Sequence, residues 1–275
     1  MSEGTMTHGE LQAALAIAQA EADTLREELE ETNRGVVALY AELDEQAIAL
    51  QKATELKSQF LAYMSHEFRT PLGSIRSIAR LLIDQVDGPL TEEQGKQVRF
   101  IQTAATEFSE MVDDLLDLAK IEAGRVDISL AWFEMVDLFS ALRGMFRPML
   151  QNGAVTLVFE EPEGLPQLYS DDRKLSQILR NFVSNAIKFT AQGEVRVSAQ
   201  RWGEDSVRFA VADSGIGIAP EHQAAVFNDY SQIDSPIQKR LRGTGLGLAL
   251  CRHFAALLGG SVGLESEWGK GSTFW

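Results

Sequence analysis

Apolar residues recur at alternating spacings of four and three along the N-terminal part of the chain. They are Leu11, Leu15, Ala18, Ala22, Leu25, Leu29, Val36, Leu39, Leu43, Leu50 and Ala53, with polar Thr32 and Gln46 in the same register. About six heptads in one register predict a parallel coiled coil over residues 1–54. The alternative is a single amphipathic helix lying on a folded domain, but a helix of this length would overrun a small domain.

A second helical stripe begins near Leu61, turns, and returns. It comprises Ser65, Phe68, Leu72, Ile75, Ala79, Leu82 and Val86, then the turn sequence DGPLT, then Val98, Ile101, Ala105, Phe108, Val112, Leu115 and Ala119. We expect an antiparallel helical hairpin over residues 55–128, whose apolar stripe is too wide for two helices to cover. Two copies packed as a four-helix bundle would cover it, so a homodimer is expected.

From about residue 129 the pattern changes to a mixture of strands and helices. Strand-like runs lie at 155–160, 194–199, 206–213, 261–266 and 272–275, and helical patterns lie at 134–151, 171–189 and 246–258. Because strands and helices do not alternate regularly, we expect an α/β sandwich with helices on one face of a mixed sheet over residues 129–275. A doubly wound parallel sheet would require a regular alternation.

Charge and cysteine content narrow the class of protein. The net charge of −15 argues against nonspecific binding to nucleic acid or to an anionic membrane. Because Cys251 is the only cysteine, an internal disulfide and a cysteine-built zinc site are excluded. No apolar run reaches the roughly 18 residues needed to span a bilayer, and the first residues lack a signal-peptide pattern. A cytoplasmic location without a direct membrane segment is therefore expected.

The octapeptide SHEFRTPL, residues 65–72, places a histidine and a proline in the first hairpin helix. His66 falls beside the apolar seam, and Thr70 lies one turn further on the same face. Pro71 removes the backbone bond to the Glu67 carbonyl at a cost of roughly 3 kcal/mol, so the helix is expected to bend there. An exposed histidine with a carboxylate beside it can act as a nucleophile with a nearby base. For an isolated His-Glu pair, however, solvated helix surface is the simpler interpretation.

The helix predicted over residues 171–189 has a polar side that is unusual in composition. It presents Asn181, Asn185 and Lys188 at helical spacing. Asparagine is a poor residue in the middle of a helix, and an ordinary wetted face would more often carry Glu, Lys or Arg. Two amides and an ammonium group instead suit a magnesium–phosphate ligand.

Three glycine-rich segments follow this helix: DSGIGI at 213–218, GTGLGL at 243–248 and GKGSTF at 269–274. In the first, the Asp213 carboxylate can accept a hydrogen bond from an exocyclic amine, and its glycines allow the backbone to approach a ring closely. The second segment opens a predicted helix, so its backbone amides can cradle phosphates. Glycine clusters before helices are common, so this segment alone is weak evidence.

Taken together, these motifs resemble those of sensor histidine kinases. The octapeptide resembles their phospho-acceptor box, and the helix with its three loops resembles the N, G1, G2 and G3 boxes of a superfamily that also contains gyrase-type topoisomerases, mismatch-repair ATPases and a heat-shock chaperone. The resemblance covers roughly residues 55–275. It implies ATP and Mg²⁺ as cofactors, phosphorylation of His66, and transfer to an aspartate of a response-regulator receiver. An upstream sensor domain or protein would supply the signal.

The resemblance also implies roles for individual residues. Glu67 would take a proton from His66, and Thr70 would position water for dephosphorylation of the regulator. Asn185 would bind Mg²⁺. The residues implied to contact ATP are Asn181, Asn185, Lys188, Phe189, Asp213, Gly215, Gly217, Arg242, Gly243, Gly245, Leu246, Gly247 and Thr273. Among them, Asp213 would accept the adenine amine, Phe189 would contact adenine, Thr273 would reach the adenine site through water, and Lys188 and Arg242 would reach phosphates.

Three features depart from the family pattern. Arg242 replaces a common glycine at one end of the expected ATP lid, residues 219–242. Asp229 and Tyr230 replace the usual Pro-Phe of the F box. The last strand ends at Trp275, earlier than usual, so a trimmed sheet edge is expected.

Two other functions remain open at the level of sequence. One is an ATPase of the same superfamily, which uses a glutamate one turn before the Mg²⁺-binding asparagine. Asn181 occupies that position here, and an amide cannot act as a general base. The other is a dimeric scaffold that binds nucleotide and a receiver without catalysis.

Overall fold

The computed structural model describes residues 8–150, 153–162, 164–229, 231 and 245–275. The chain divides into two compact units between Lys57 and Ser58. Within the first unit, every described residue belongs to helix α1, which spans His8–Ile83. The large apolar residues of the predicted heptads, from Leu11 to Leu50, are exposed. The long helix is confirmed, and its pairing as a coiled coil stays a prediction.

Pro71 lies inside α1 without ending it. The helix continues for three turns beyond the proline, to Ile83. In the same turn, the Thr70 hydroxyl donates to the His66 carbonyl oxygen over 3.4 Å. The proline is therefore accommodated within the helix, and the bend expected there stays a prediction.

Helix α2 (Glu92–Glu122) completes the predicted hairpin. Thr91 begins it with a capping box, in which Thr91 and Gln94 bond each other's backbone N–H groups. The helix ends at Ala123, followed by Gly124 with a φ of +65°. The seam residues that the hairpin buries recur every seven positions: Ser65, Leu72 and Ala79 on α1, and Val98, Ala105, Val112 and Ala119 on α2.

The remaining chain forms a five-stranded mixed sheet, a two-stranded ribbon and further helices. The elements in chain order are β1 (Ala131–Phe133), α3 (Met135–Phe146), β2 (Val155–Phe159), β3 (Leu168–Ser170), α4 (Asp172–Phe189), β4 (Gly193–Trp202), β5 (Ser206–Asp213), α5 (Pro220–Gln223), α6 (Gly247–Leu257), β6 (Leu264–Glu267) and β7 (Gly271–Phe274). The strand order in the large sheet is β2-β4-β5-β7-β6. Strand β2 is parallel to β4, and the other pairs are antiparallel.

Helices α3, α4 and α6 cover the same face of this sheet. The shared core contains Val195, Val197, Val211 and Phe274 from the strands, and Leu142, Leu179, Phe182, Leu250 and Phe254 from the helices. Leu118 of α2 joins the same core. Cys251 of α6 is fully buried, and its thiol lies 3.8 Å from the Ile178 carbonyl oxygen. The predicted sandwich with helices on one face is confirmed.

Several boundaries differ from the predicted ones. The helix predicted over 134–151 ends at Phe146 and continues as a 3₁₀ turn over Arg147–Leu150, because Pro148 has no N–H to extend the α-helical ladder. The ribbon of β1 and β3 was not predicted. Strand β7 pairs on both sides, so β6 forms that edge of the sheet. Within the described residues, no helix combines the length and apolar character needed to cross a membrane.

Candidate active site

His66 lies on the exposed face of α1. Its side chain is 78% exposed, and its Nδ1 is 3.7 Å from Oε1 of Glu67. The adjacent residue Ser65 is buried in the seam, which fixes the outward direction of His66. Because Nδ1 faces the carboxylate, Nε2 is the ring nitrogen left for an incoming electrophile. The predicted outward orientation is thus found.

An interhelical ion pair close to His66 was not anticipated from the sequence. Arg69 Nη2 lies 2.6 Å from Asp113 Oδ1 and so joins α1 to α2 one turn from the histidine. Both side chains are more than half exposed, so the pair contributes little to stability. Its positions are 44 residues apart, so no local pattern indicates it.

A buried cap fixes the start of α4. This helix carries Asn181, Asn185 and Lys188 on its polar side, here called the asparagine stripe. The Asp171 carboxylate accepts N–H groups from Arg173 and Lys174 and also from Ser129. Burial pushes the pKa of Asp171 upward, but these N–H donors outweigh it and the pKa is lowered. The cap therefore ties the segment before β1 to α4 as well as starting the helix.

The asparagine stripe separates into two environments. The Asn181 amide nitrogen lies 3.5 Å from the Gly247 carbonyl oxygen at the start of α6. A Cβ on Gly247 would lie 3.1 Å from Asn181 Oδ1, so these two residues pack closely. Asn185, one turn later, is half-buried, and no hydrogen bond to its side chain is found within the described part of the chain.

Lys188 lies at the end of the same stripe. Burial lowers the pKa of its ammonium group, and the charge of Glu107 on α2 partly opposes this. Its Nζ is 5.6 Å from the centre of the Phe189 ring. The stripe thus carries a half-buried ammonium group one turn beyond the amide oxygen of Asn185, as predicted.

Asp213 ends β5 on the core-facing side of the sheet, opposite the fully buried Val195. Burial raises the pKa of this carboxyl, and the backbone N–H groups of Gly215 and Ser272 partly oppose the shift. The Gly215 N–H donates to Asp213 Oδ1 over 2.8 Å. A half-buried carboxylate can accept a further hydrogen bond from a ligand amine.

The glycines after Asp213 are required by packing within the protein. A Cβ on Gly215 would collide with the Phe189 carbonyl oxygen. A Cβ on Gly217 would collide with the Glu267 carbonyl oxygen, and this glycine has a φ of +65°. The sequence interpretation, which assigned these glycines to close approach of a ligand, therefore missed their contacts with α4 and β6.

The second glycine segment is partly described. Arg242 and Gly243 lie outside the described residues. Gly245 has a φ of +73°, Leu246 is buried, and Gly247 begins α6. The predicted helix start is confirmed, and it directs backbone N–H groups away from the helix body.

The sheet register corrects one assigned site residue. Ser272 of β7 pairs with Asp213, whereas Thr273 pairs with Ala212. Because successive side chains of a strand point to opposite faces, Thr273 lies on the face away from Asp213. Ser272 is the hydroxyl residue on the Asp213 face, and its backbone N–H group lowers the pKa of that carboxyl. The assignment of Thr273 to the adenine site was therefore wrong by one residue.

The described part of the expected lid contacts β7 and α6. Phe227 packs edge-on against Phe274 at a centroid distance of 6.2 Å. Asp229 lies 3.4 Å from His253 Nε2 and 3.7 Å from Arg252 Nη2, both on α6. The aspartate that replaces the family proline thus contacts α6. Residues 230 and 232–242 of the lid lie outside the described residues.

The donor set fits Mg²⁺ bound together with phosphates. Among the described residues, no group of three or more His, Cys, Asp or Glu side chains is placed to hold a metal ion. Mg²⁺ commonly takes one or two protein oxygens and completes its shell with phosphate oxygens and water. The Asn185 amide oxygen suits such a single protein ligand.

Two family models match the chain. One describes the "His Kinase A (phospho-acceptor) domain" and matches residues 56–124. The other describes the "Histidine kinase-, DNA gyrase B-, and HSP90-like ATPase" and matches residues 170–275. The first contains His66 and the hairpin, and the second contains α4 and all three glycine segments.

Curated relatives and solved structures agree with these matches. The circadian input-output histidine kinase CikA of Synechococcus elongatus is 34% identical over 95% of this chain and 35% of its own length. The autoinducer 2 sensor kinase/phosphatase LuxQ of Vibrio parahaemolyticus is 35% identical over 82% of this chain and 26% of its own length. Full-length ShkA in complex with AMPPNP superposes with a TM-score of 0.65 at 34% identity, covering 79% of this chain and 44% of ShkA. The chain thus spans about a third or less of the curated relatives' length. With a phospho-acceptor hairpin followed by the matching ATPase domain, the chain belongs to the sensor histidine kinases.

Proposed function

We propose that this chain autophosphorylates His66 from Mg²⁺-ATP and passes the phosphoryl group to an aspartate of a response-regulator receiver. The observation that carries the proposal is the exposed His66 ring with Nδ1 3.7 Å from the Glu67 carboxylate. Glu67 accepts the Nδ1 proton while Nε2 attacks the γ-phosphorus. The bond to the β–γ bridging oxygen breaks, and ADP leaves with its electron pair.

The pocket residues hold the nucleotide in this proposal. Asp213 accepts the adenine amine, Phe189 contacts the ring, and Asn185 binds Mg²⁺, which neutralises phosphate charge. Lys188 and Arg242 reach the phosphates, and the segment Gly243, Gly245, Leu246 and Gly247 surrounds them at the start of α6. Ser272 replaces Thr273 on the adenine side because it pairs with Asp213. The similar structure of ShkA is a complex with AMPPNP, which supports ATP as the ligand of this chain.

The amide at position 181 favours phosphoryl transfer to a protein side chain over hydrolysis of ATP by water. The Asn181 amide packs against Gly247 at the start of α6 and has no group that can deprotonate water. We therefore assign Asn181 to joining α4 and α6. The ATPase alternative lacks its general base, whereas a phosphoryl acceptor is present in His66.

Incubation with γ-labelled ATP tests the proposal directly. Acid-labile, base-stable label on the chain is expected. Released phosphate without labelled protein would instead indicate an ATPase, and neither product would indicate a nucleotide-binding scaffold.

The hairpin supports a homodimer. Its seam buries seven residues of the apolar stripe, whereas Phe68, Ile75, Ile101 and Phe108 of the same stripe are between 40% and 49% exposed. A second copy would cover these residues in a four-helix bundle, with the coiled coil of residues 1–54 continuing from it. We propose residues 55–128 as the dimerisation and phosphotransfer domain and 129–275 as the catalytic domain.

The position of Thr70 supports a second proposed activity of this chain, dephosphorylation of the same regulator. The Thr70 hydroxyl lies one turn from His66 on the exposed face, 3.4 Å from the His66 carbonyl oxygen. There it can orient water for hydrolysis of the regulator's phosphoaspartate. The relative LuxQ is named a sensor kinase/phosphatase, which is consistent with both activities in this family. Since ATP supplies the phosphoryl group, we place the reaction in the cytoplasm, with an upstream sensor controlling it.

A further inference from the structure

Gln223, the last residue of α5, joins two separate segments with one amide group. Its Nε2 donates to the Ile218 carbonyl oxygen over 2.8 Å and to the Ser266 carbonyl oxygen over 2.9 Å. Both acceptors are carbonyl oxygens, so only the amide nitrogen, with its two N–H groups, can satisfy them. The side chain is half-buried, and loss of either donor would leave a shielded carbonyl without this partner.

The two acceptors belong to the loop after Asp213 and to β6. The Ile218 N–H donates to Ser266 Oγ over 2.8 Å. On the same loop, the Ile216 carbonyl oxygen accepts from the Gly269 N–H over 2.7 Å. The loop therefore packs against β6 and the turn that follows it. The two hydrogen bonds of Gln223 join the loop to β6 a second time.

The contact continues to the carboxylate of the pocket. Ser266 Oγ lies 2.9 Å from Ser272 Oγ. Ser272 in turn pairs directly with Asp213 between β7 and β5. Gln223 is thus linked through Ser266 and Ser272 to the carboxylate, although it is ten residues further along the chain.

We propose that Gln223 is a positioning residue for nucleotide binding. It fastens the loop of residues 213–218 to β6, so that Asp213 and Gly215 keep the geometry that receives the adenine amine. This role rests on the proposed ATP site. If Gln223 only stabilised the fold, its loss would lower the unfolding temperature and the active fraction, while folded molecules would bind nucleotide as before.

The test uses the 275-residue chain and three substitutions of Gln223. Gln223→Met keeps the volume and removes both donors, Gln223→Glu turns a carboxylate oxygen toward the two carbonyls, and Gln223→Asn keeps the amide but shortens its reach. Gln200→Met, on the exposed side of β4, is the matched control. Mg²⁺-ADP affinity is measured by titration calorimetry, KM and kcat for ATP by autophosphorylation, and folding by thermal unfolding without ligand.

About tenfold weaker Mg²⁺-ADP binding is expected for Gln223→Met, a larger loss for Gln223→Glu, a smaller one for Gln223→Asn, and none for Gln200→Met. KM for ATP should rise by more than kcat falls. The role is refuted if the folded variants bind Mg²⁺-ADP as tightly as wild type, or if kcat falls at unchanged KM. Failure of the wild-type chain itself to bind Mg²⁺-ADP would refute the proposed function, and the role of Gln223 with it.

Discussion

The hairpin of α1 and α2 and the α/β sandwich carry their chemistry in different ways. In the hairpin, the proposed phosphoryl acceptor His66 is 78% exposed, and its neighbour Glu67 is the next residue in sequence. In the sandwich, Asp213 is half-buried and its geometry depends on β7, α4 and β6, which are distant in sequence. Substitutions on the hairpin should therefore change chemistry with little effect on folding, whereas those in the pocket should change binding through several contacts.

The largest effect is expected for His66→Gln. The variant should lose acid-labile phosphate completely, because the nucleophile is gone, and it should still bind Mg²⁺-ADP like wild type. Labelling with γ-labelled ATP and calorimetric titration measure the two properties. His8→Gln, on an exposed part of α1, is the control. Acid-labile label on His66→Gln would show that another residue is the acceptor.

A large effect on the other region is expected for Asp213→Asn. Loss of a partly buried charge-assisted hydrogen bond typically costs about 1.5–3 kcal/mol, so nucleotide affinity should fall roughly ten- to a hundredfold. Calorimetric titration with Mg²⁺-ADP measures this loss, and Asp205→Asn in the turn after β4 is the control. An unchanged affinity would remove Asp213 from the pocket.

An intermediate effect is expected for Thr70→Ala. Because this hydroxyl is proposed to orient water, dephosphorylation of a phosphorylated receiver should slow roughly tenfold or more, while autophosphorylation persists. Thr106→Ala on α2 is a matched control, since Thr106 also donates to the carbonyl oxygen four residues earlier. Equal loss of both activities would contradict the separate role of Thr70.

The smallest effect concerns Asp114, where α2 meets α4. Burial raises the pKa of Asp114 to about 6, the carboxylates of Asp117, Glu110 and Asp113 add to the shift, and Arg180 of α4 opposes it. The folded state therefore binds the proton more tightly than the unfolded state does, so stability should fall as pH rises from about 4 to 6 and level off above.

Asp114→Asn should remove that part of the pH dependence. Above pH 6, unfolding in urea should show the variant to be more stable than wild type by about 1 kcal/mol, with partial exposure of the carboxyl taken into account. The exposed Asp127→Asn is the control. Parallel stability curves for Asp114→Asn and wild type between pH 4 and 7 would show that Asp114 is not perturbed by its neighbours.

Most of the fold could be predicted because its long elements have clear periodicity. Helix α4 starts within one residue of the predicted position, and α2 ends at the predicted Ala123-Gly124. The β1–β3 ribbon could not be predicted, since strands of three residues gain their stability from pairing with a distant partner.

The candidate site shows the same division. That Thr70 lies one turn from His66 on the same face follows from helical spacing, whereas the roles proposed for His66, Glu67 and Thr70 rest on the resemblance of the octapeptide. The choice between Ser272 and Thr273 instead requires the register between β5 and β7, because alternation identifies two faces without saying which one faces the pocket. The donors of Gln223 reach one acceptor five residues away and another 43 residues away, so no local pattern marks it.

The buried thiol of Cys251 has a practical consequence for spectroscopy. Burial raises its pKa and removes it from solvent, so a maleimide dye should react with the folded wild-type chain very slowly. Because no other cysteine is present, a single cysteine introduced at an exposed position such as Gln200 becomes an almost exclusive labelling site. With a second introduced cysteine on the hairpin, a donor and an acceptor dye would report, by resonance energy transfer in single molecules, movements between the sandwich and the hairpin during a catalytic cycle.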